Sequence, residues 1–197
     1  MKLLYTKRSP YARKPRVIAL EKGIHLDLID EDLANKSKLL LEVNPLGKVP
    51  TLLLDDGEPV YDSKVIDQYL DGLNEKNIMI PKDSHARREV FKWEAMADDM
   101  VTTAIYAYME KIRHPQDFHA QFVANSEKSI LKGYQYIETH LTELKEFNLG
   151  AVAVASAIGY IHFRLPHLKV KGKLAQWFEE ISKRPSMQQT VPVDTNR

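Results

Sequence analysis

Short strand-like and helix-like segments alternate along the first third of the chain. Four segments have the apolar or alternating pattern of strands: residues 3–5, 25–30, 51–54 and 60–61. Three segments between or after them have the apolar spacing of helices: residues 10–22, 36–43 and 63–70. The turn sequence Asp55-Asp56-Gly57 joins the last two strands as a hairpin. The pattern therefore predicts the order β-α-β-α-β-β-α.

From about residue 84 the strand patterns end, and apolar residues recur every three or four positions, as in helices. Residues 149–161 form an apolar run of 13 residues, which is shorter than the ~20 needed to cross a bilayer and predicts a buried helix. Residues 74–83 contain Pro81 and resemble a linker. The predicted architecture is an α/β domain at 1–73, a linker at 74–83 and an all-helical domain at 84–197.

The composition is typical of a globular protein and excludes several kinds of chemistry. The 197 residues are 44% apolar and 28% charged, and they include no cysteine, which excludes a cysteine nucleophile and thiolate metal sites. The net charge of +1 provides no overall field to attract nucleic acid or an anionic membrane. The seven histidines lack metal-site spacing, so no metal is expected. The apolar start is too short for a signal peptide, which favours a cytoplasmic location.

Two motifs and one polar pair carry the candidate chemistry. Ser9 directly precedes a proline at a predicted helix start, where N–H groups and the helix dipole favour an anion such as a thiolate. Val49 precedes Pro50 before a strand, and its backbone could pair with an extended peptide. Asp62 and Ser63 open another helix and could hold the charged end of an amino acid. Each motif alone is compatible with ordinary turns and caps, but together they indicate a site for a thiol peptide.

The chain resembles the glutathione S-transferase family, in particular its bacterial members that place a serine at the thiol. Residues 9–14 (Ser-Pro-Tyr-Ala-Arg-Lys) and 44–50 (Asn-Pro-Leu-Gly-Lys-Val-Pro) match family motifs, as does the pair at 62–63. Residues 157–164 resemble the core helix and residues 184–186 the closing segment. The resemblance implies a thioredoxin-like N-terminal domain, a helical C-terminal domain and a homodimer.

The resemblance also implies roles for individual residues in a detoxifying transferase. Ser9 would donate a hydrogen bond to the glutathione sulfur. The other residues of the expected glutathione site are Asn35, Lys48, Val49, Pro50, Asp62 and Ser63. A small electrophile would lie against Tyr11, Tyr106 and Met109, for which ordinary packing is an equally good interpretation. Glutathione would then be a substrate, with no metal, nucleic acid or membrane partner.

Three alternatives stay open at this point. Tyr5 could activate the thiol, but it lies inside a predicted strand, four residues before Ser9, which favours Ser9. A non-catalytic relative that binds proteins or ligands would use the same fold, and glutathione binding would separate the two. The five cations at residues 7–16 could bind nucleic acid, but the near-neutral chain favours local attraction of a small anion.

The acids Glu94, Asp98 and Asp99 indicate a solvated helix face, which could line a dimer cleft.

Overall fold

The first third of the chain folds around a four-stranded mixed sheet. In the computed structural model, which describes residues 1–194, the strands are β1 (Lys2–Tyr5), β2 (Asp27–Asp30), β3 (Thr51–Leu53) and β4 (Pro59–Val60). Their order in the sheet is β2-β1-β3-β4. Strand β1 runs parallel to β2 and antiparallel to β3, and β3 pairs with β4 in antiparallel fashion.

Two helices connect strands and a third follows the last strand, and a side-chain cap begins each of the three. They are α1 (Pro10–Lys22), α2 (Lys38–Val43) and α3 (Ser63–Gly72). The capping side chains belong to Ser9, Ser37 and Asp62, each of which accepts a hydrogen bond from an N–H in the first turn. Gly23 ends α1 in the left-handed conformation with φ of 67°, which a glycine adopts without strain. The predicted order β-α-β-α-β-β-α is confirmed, and this part of the chain is thioredoxin-like.

The second unit, Ser84–Arg184, is helical. Its helices are α4 (Ser84–Arg113), α5 (Ala120–Thr139), a short 3-10 helix (Leu141–Leu144), α6 (Leu149–Arg164) and α7 (Gly172–Ser182). The predicted buried helix is α6, and Asn148 caps it by accepting the N–H of Ala151 at 3.1 Å. A Cβ on Gly150 would lie 3.1 Å from the Cβ of Trp93, so α6 approaches α4 there more closely than most side-chain contacts do.

The last described residues pack on the first unit, which comprises residues 1–83 and the segment from 185 onward. Helix α8 (Pro185–Gln188) lies here, and the Arg13 guanidinium donates to the Met187 carbonyl at 2.9 Å and to the Thr190 hydroxyl at 3.3 Å. The helical domain predicted at 84–197 therefore differs from the observed unit, because these tail contacts draw the closing segment to α1. Residues 195–197 of that prediction lie outside the described residues.

Residues 74–83, predicted as a linker, also belong to the first unit. The Asp71 carboxylate accepts the N–H groups of Met79 at 2.8 Å and Ile80 at 3.0 Å. The ammonium of Lys22 lies 3.0 Å from the same carboxylate and donates to the Lys76 carbonyl at 2.9 Å. These bonds fix the segment against α1 and α3, although its sequence resembles a loose connection.

The acidic face predicted on α4 is only partly solvated. Asp99 is exposed, but Glu94 is 2% exposed, because α5 and α6 both pack against α4 and cover part of its surface. The prediction of a wet face was therefore wrong for Glu94. Within residues 1–194, no helix combines the length and the apolar character that crossing a membrane requires.

Candidate active site

The predicted glutathione-site residues all lie in segments that leave or enter the sheet at the same end. Because β1 and β2 are parallel and β3 runs opposite to both of its neighbours, three strands end where β3 begins. Ser9 follows β1 and Asn35 follows β2, while residues 48–50 directly precede β3. Asp62 and Ser63 follow β4. The topology thus brings together segments that are separated by up to 54 positions in the sequence.

Ser9 is half-buried at the start of α1, where its hydroxyl acts both as a cap and as a potential donor. Its Oγ accepts the N–H of Ala12 at 3.2 Å, and its own N–H donates to the Thr6 carbonyl at 3.1 Å. Residues 10–13 contain no carboxylate that would repel an anion. With the oxygen accepting from the helix, the hydroxyl proton can donate to a group in front of the helix N-terminus, where the dipole also favours negative charge.

The backbone of Val49, in the segment before β3, is available to a ligand. The Val49–Pro50 peptide bond is cis, and Pro50 is buried while Lys48 is exposed. Within residues 1–194, neither the N–H nor the C=O of Val49 makes a hydrogen bond. An extended peptide could pair with both groups, as the sequence motif predicts.

Two residues that hold this segment were missed by the sequence interpretation. Asn44 is 3% exposed, and its Nδ2 donates to the Lys48 carbonyl at 3.2 Å and to the Thr51 hydroxyl at 2.9 Å. The Thr51 hydroxyl donates to the same Lys48 carbonyl at 2.9 Å. The motif at residues 44–50 indicates a turn and a family match, but a sequence does not show that the Asn44 amide points inward to the Lys48 carbonyl.

The polar residues after β4 and β2 differ in accessibility. Asp62 is exposed and caps α3 by accepting the N–H of Lys64 at 3.2 Å, whereas Ser63 is buried. Asn35 is exposed in the loop between β2 and α2. The exposed Asp62 carboxylate can contact the ammonium of a ligand from the solvent side while it caps α3. The Ser63 side chain is buried, so it is less accessible for such a contact.

The structure bears on two of the sequence alternatives. Burial raises the pKa of the Tyr5 phenol, and the Arg16 guanidinium lies 4.9 Å from the centre of its ring. Tyr5 thus packs within β1 as a buried, weaker acid. The five cations at 7–16 do not form one anion-attracting patch, because Arg13 and Lys14 are buried. The ammonium of Lys14 lies 3.6 Å from the Asp67 carboxylate, and burial lowers the pKa of Arg13 to about 10.

The three predicted electrophile residues are divided between the units. Tyr11 is half-buried in the first turn of α1. Tyr106 and Met109 lie about one turn apart on α4, with Tyr106 60% exposed and Met109 half-buried. Among the described residues, no three His, Asp or Glu side chains converge as a metal site would require.

Comparison with known proteins gives the family. Residues 8–73 match the model of the glutathione S-transferase N-terminal domain. An Escherichia coli K12 protein described as the uncharacterized GST-like protein YibF is 34% identical over 170 residues, which cover 83% of each chain.

Two crystal structures are also similar over nearly their whole length. A glutathione S-transferase from Methylobacillus flagellatus KT with GSH bound has 36% identity and a TM-score of 0.90, covering 98% of this chain and 99% of that one. A glutathione transferase family member from Pseudomonas fluorescens Pf-5 with bound glutathione has 34% identity and a TM-score of 0.89, with the same coverage. The topology, the site motifs and these relatives agree, and the chain belongs to the glutathione S-transferase family.

Proposed function

We propose that this protein is a glutathione transferase that uses Ser9 to activate the glutathione thiol for attack on a small electrophile. The observation that carries the proposal is the convergence of Ser9, the unpaired Val49 backbone and Asp62 at one end of the sheet. The glutathione found in the two similar crystal structures supports the choice of thiol.

Each group at this end of the sheet matches part of glutathione. The Val49 N–H and C=O pair with the cysteinyl unit beside Pro50, and the Lys48 ammonium meets a glutathione carboxylate. Asp62 binds the ammonium of the γ-glutamyl end, while the backbone at Ser63 and the start of α3 meet its carboxylate. Asn35 adds a polar contact from the loop after β2.

The chemical step requires a thiolate held beside its target. A free thiol with a pKa of ~8.5 is only about 3% ionised at pH 7, and lowering that pKa by ~2 units makes most of it thiolate. The Ser9 hydroxyl donates to the sulfur, and the N-terminus of α1 stabilises the negative charge. Orientation of the electrophile beside the thiolate supplies the remaining acceleration, and Tyr11, two positions after Ser9, is a proposed contact.

The quaternary state and location are part of the same proposal. The enzyme acts in the cytoplasm as a homodimer that removes reactive electrophiles, with the start of α4 contributing to the dimer surface. Light scattering at micromolar concentration should give twice the 22.7 kDa of one chain. A mass of one chain would reject the dimer without affecting the thiol chemistry.

The activity is tested with a panel of small electrophiles and glutathione, followed by loss of thiol and by mass spectrometry of the product. The protein should form glutathione conjugates faster than the uncatalysed reaction, and Ser9→Ala should slow this step. Glutathione binding without turnover of any electrophile would favour the non-catalytic alternative. The absence of both binding and turnover would reject the glutathione site itself.

A further inference from the structure

We propose that Asn44 and Thr51 are positioning residues that aim the Val49 N–H at glutathione. Their proposed action is indirect, through the peptide bond between Lys48 and Val49, because both side chains bond to the Lys48 carbonyl. This inference rests on the proposed function, since it assigns the parts of the protein that shape the same site.

The carbonyl of Lys48 is held by two buried donors. The Asn44 amide lies 3.2 Å from it, the Thr51 hydroxyl lies 2.9 Å from it, and the amide donates to the hydroxyl at 2.9 Å. The other end of the Asn44 amide is also engaged, because its Oδ1 accepts the N–H of Leu46 at 3.0 Å. Asn44 is 3% exposed and Thr51 is 0% exposed, so water does not replace these partners.

The orientation of Val49 follows from the geometry of a trans peptide. The C=O and N–H of one trans peptide unit point to opposite sides. Because the Lys48 carbonyl points toward Asn44 and Thr51, the Val49 N–H points away from them. Within the described residues this N–H has no hydrogen-bond partner, which leaves it as a donor for the carbonyl of an extended ligand.

The two positioning residues are themselves fixed by buried elements on either side of the loop. The Asn44 N–H donates to the Leu40 carbonyl at 2.9 Å and ends α2, and Leu40 is buried. Thr51 begins β3 opposite Leu4 of β1, which is also buried. The direction of the Val49 N–H is therefore fixed in the free protein. Binding then loses less conformational entropy, because this group does not have to be ordered by the ligand.

The test compares two substitutions at one position. Thr51→Val keeps the shape of the side chain but removes the hydroxyl, and should raise both the Kd and the KM for glutathione by ~5-fold, the equivalent of one ordinary hydrogen bond. The kcat at saturating glutathione and the pKa of the bound thiol should not change. Thr51→Ser restores the hydroxyl and should bring both constants to within about two-fold of wild type.

A matched control separates this role from a general loss of stability. Thr190 is 1% exposed and its hydroxyl donates to the Ser186 carbonyl at 2.8 Å, outside the proposed site. Thr190→Val should lower the unfolding midpoint as Thr51→Val does, but leave the glutathione Kd unchanged. An equal Kd in wild type and Thr51→Val, or an equally weak Kd in Thr51→Ser and Thr51→Val, would overturn the inference.

Amide hydrogen exchange on the wild-type chain tests the orientation without any substitution. The Val49 N–H should exchange rapidly in the free protein and slow at least ~10-fold when glutathione saturates the site. Strong protection of this N–H in the free protein would overturn the inference while leaving glutathione binding intact. Failure of the wild type to bind glutathione would instead reject the proposed function on which the inference rests.

Discussion

Substitution of Ser9 by alanine separates the two roles of its hydroxyl. In the structure the oxygen accepts the Ala12 N–H at 3.2 Å, and losing such a helix cap costs about 0.5–2 kcal/mol of stability. The Ser9 hydroxyl is proposed to donate a hydrogen bond to the thiolate, and a hydrogen bond to a charged group contributes about 1.5–3 kcal/mol. That free energy equals about one to two pKa units of the bound thiol. With the wild-type thiol pKa lowered to ~6.5, the thiolate fraction at pH 7 falls from about 76% to about 3–24%, so the rate at pH 7 should fall ~3- to 25-fold.

The assay follows the ultraviolet absorbance of the glutathione thiolate bound to the enzyme as the pH is raised. It is carried out on wild type, Ser9→Ala and Ser9→Thr. Ser9→Ala should keep nearly the wild-type glutathione affinity but ionise the thiol at higher pH, so its rate deficit should shrink as pH rises. Ser9→Thr retains a hydroxyl and should retain the low thiol pKa. Asn148→Ala removes a comparable cap in the helical unit, where Ala151 donates to Asn148 at 3.1 Å, and should leave the thiolate titration unchanged.

An identical thiolate titration in wild type and Ser9→Ala would refute the assignment. Ser9 would then be only a helix cap. The donor would have to be sought at Tyr11, since Tyr5 is buried within β1 and burial raises its pKa.

Three further predictions concern affinity, stability and pH. Asp62→Ala removes the proposed partner of the glutathione ammonium and should weaken glutathione binding by ~10-fold or more in calorimetry; an unchanged Kd would remove Asp62 from the site. Asp71→Ala removes the carboxylate that lies 3.0 Å from the buried Lys22 ammonium and leaves that charge without its acidic partner. The unfolding free energy in urea titrations should fall by about 3–5 kcal/mol, and a loss below ~1 kcal/mol would contradict this. Burial and the nearby Lys169 charge lower the pKa of His162, whose Nε2 accepts the Val170 N–H at 3.1 Å. Neutral His162 therefore makes its full contribution to the free energy of unfolding above pH ~6.5, the pKa in the unfolded chain. That contribution is lost as the pH falls toward the lower pKa of His162 in the folded protein. His162→Gln should flatten this decline in unfolding free energy, and an unchanged slope would show that other groups cause it.

The features that sequence predicted well are those that local chemistry determines. The helix starts at Ser9 and at Asp62 depend on residues within three positions of each start, so they are visible in the sequence. The same is true of the order of elements along the chain, because alternating apolar segments and short turns mark each strand and helix locally. The site motifs lie at the ends of these elements, and the sheet order β2-β1-β3-β4 is what places those ends on one side of the sheet.

The features that sequence did not predict depend on contacts between distant residues. Lys14 belongs to the group of cations at residues 7–16 that was expected to attract a small anion, yet its partner Asp67 is 53 positions later on another helix. Arg13 is held by the carbonyl of Met187, which is 174 positions away and turns the closing segment back to the first unit. A charged residue carries no local sign of such a buried partner, so its burial is known only once the packing of the helices is known.

Isothermal titration calorimetry with glutathione tests the central claim most directly, because every assigned role requires that the thiol peptide bind the native chain. The account predicts saturable binding of one glutathione per chain, nearly unchanged in Ser9→Ala and clearly weakened in Asp62→Ala. An independent melting curve should show about 1.4 kcal/mol of added stability when glutathione is present at ten times its Kd. The absence of any binding heat at millimolar glutathione, together with an unshifted melting curve, would contradict the account.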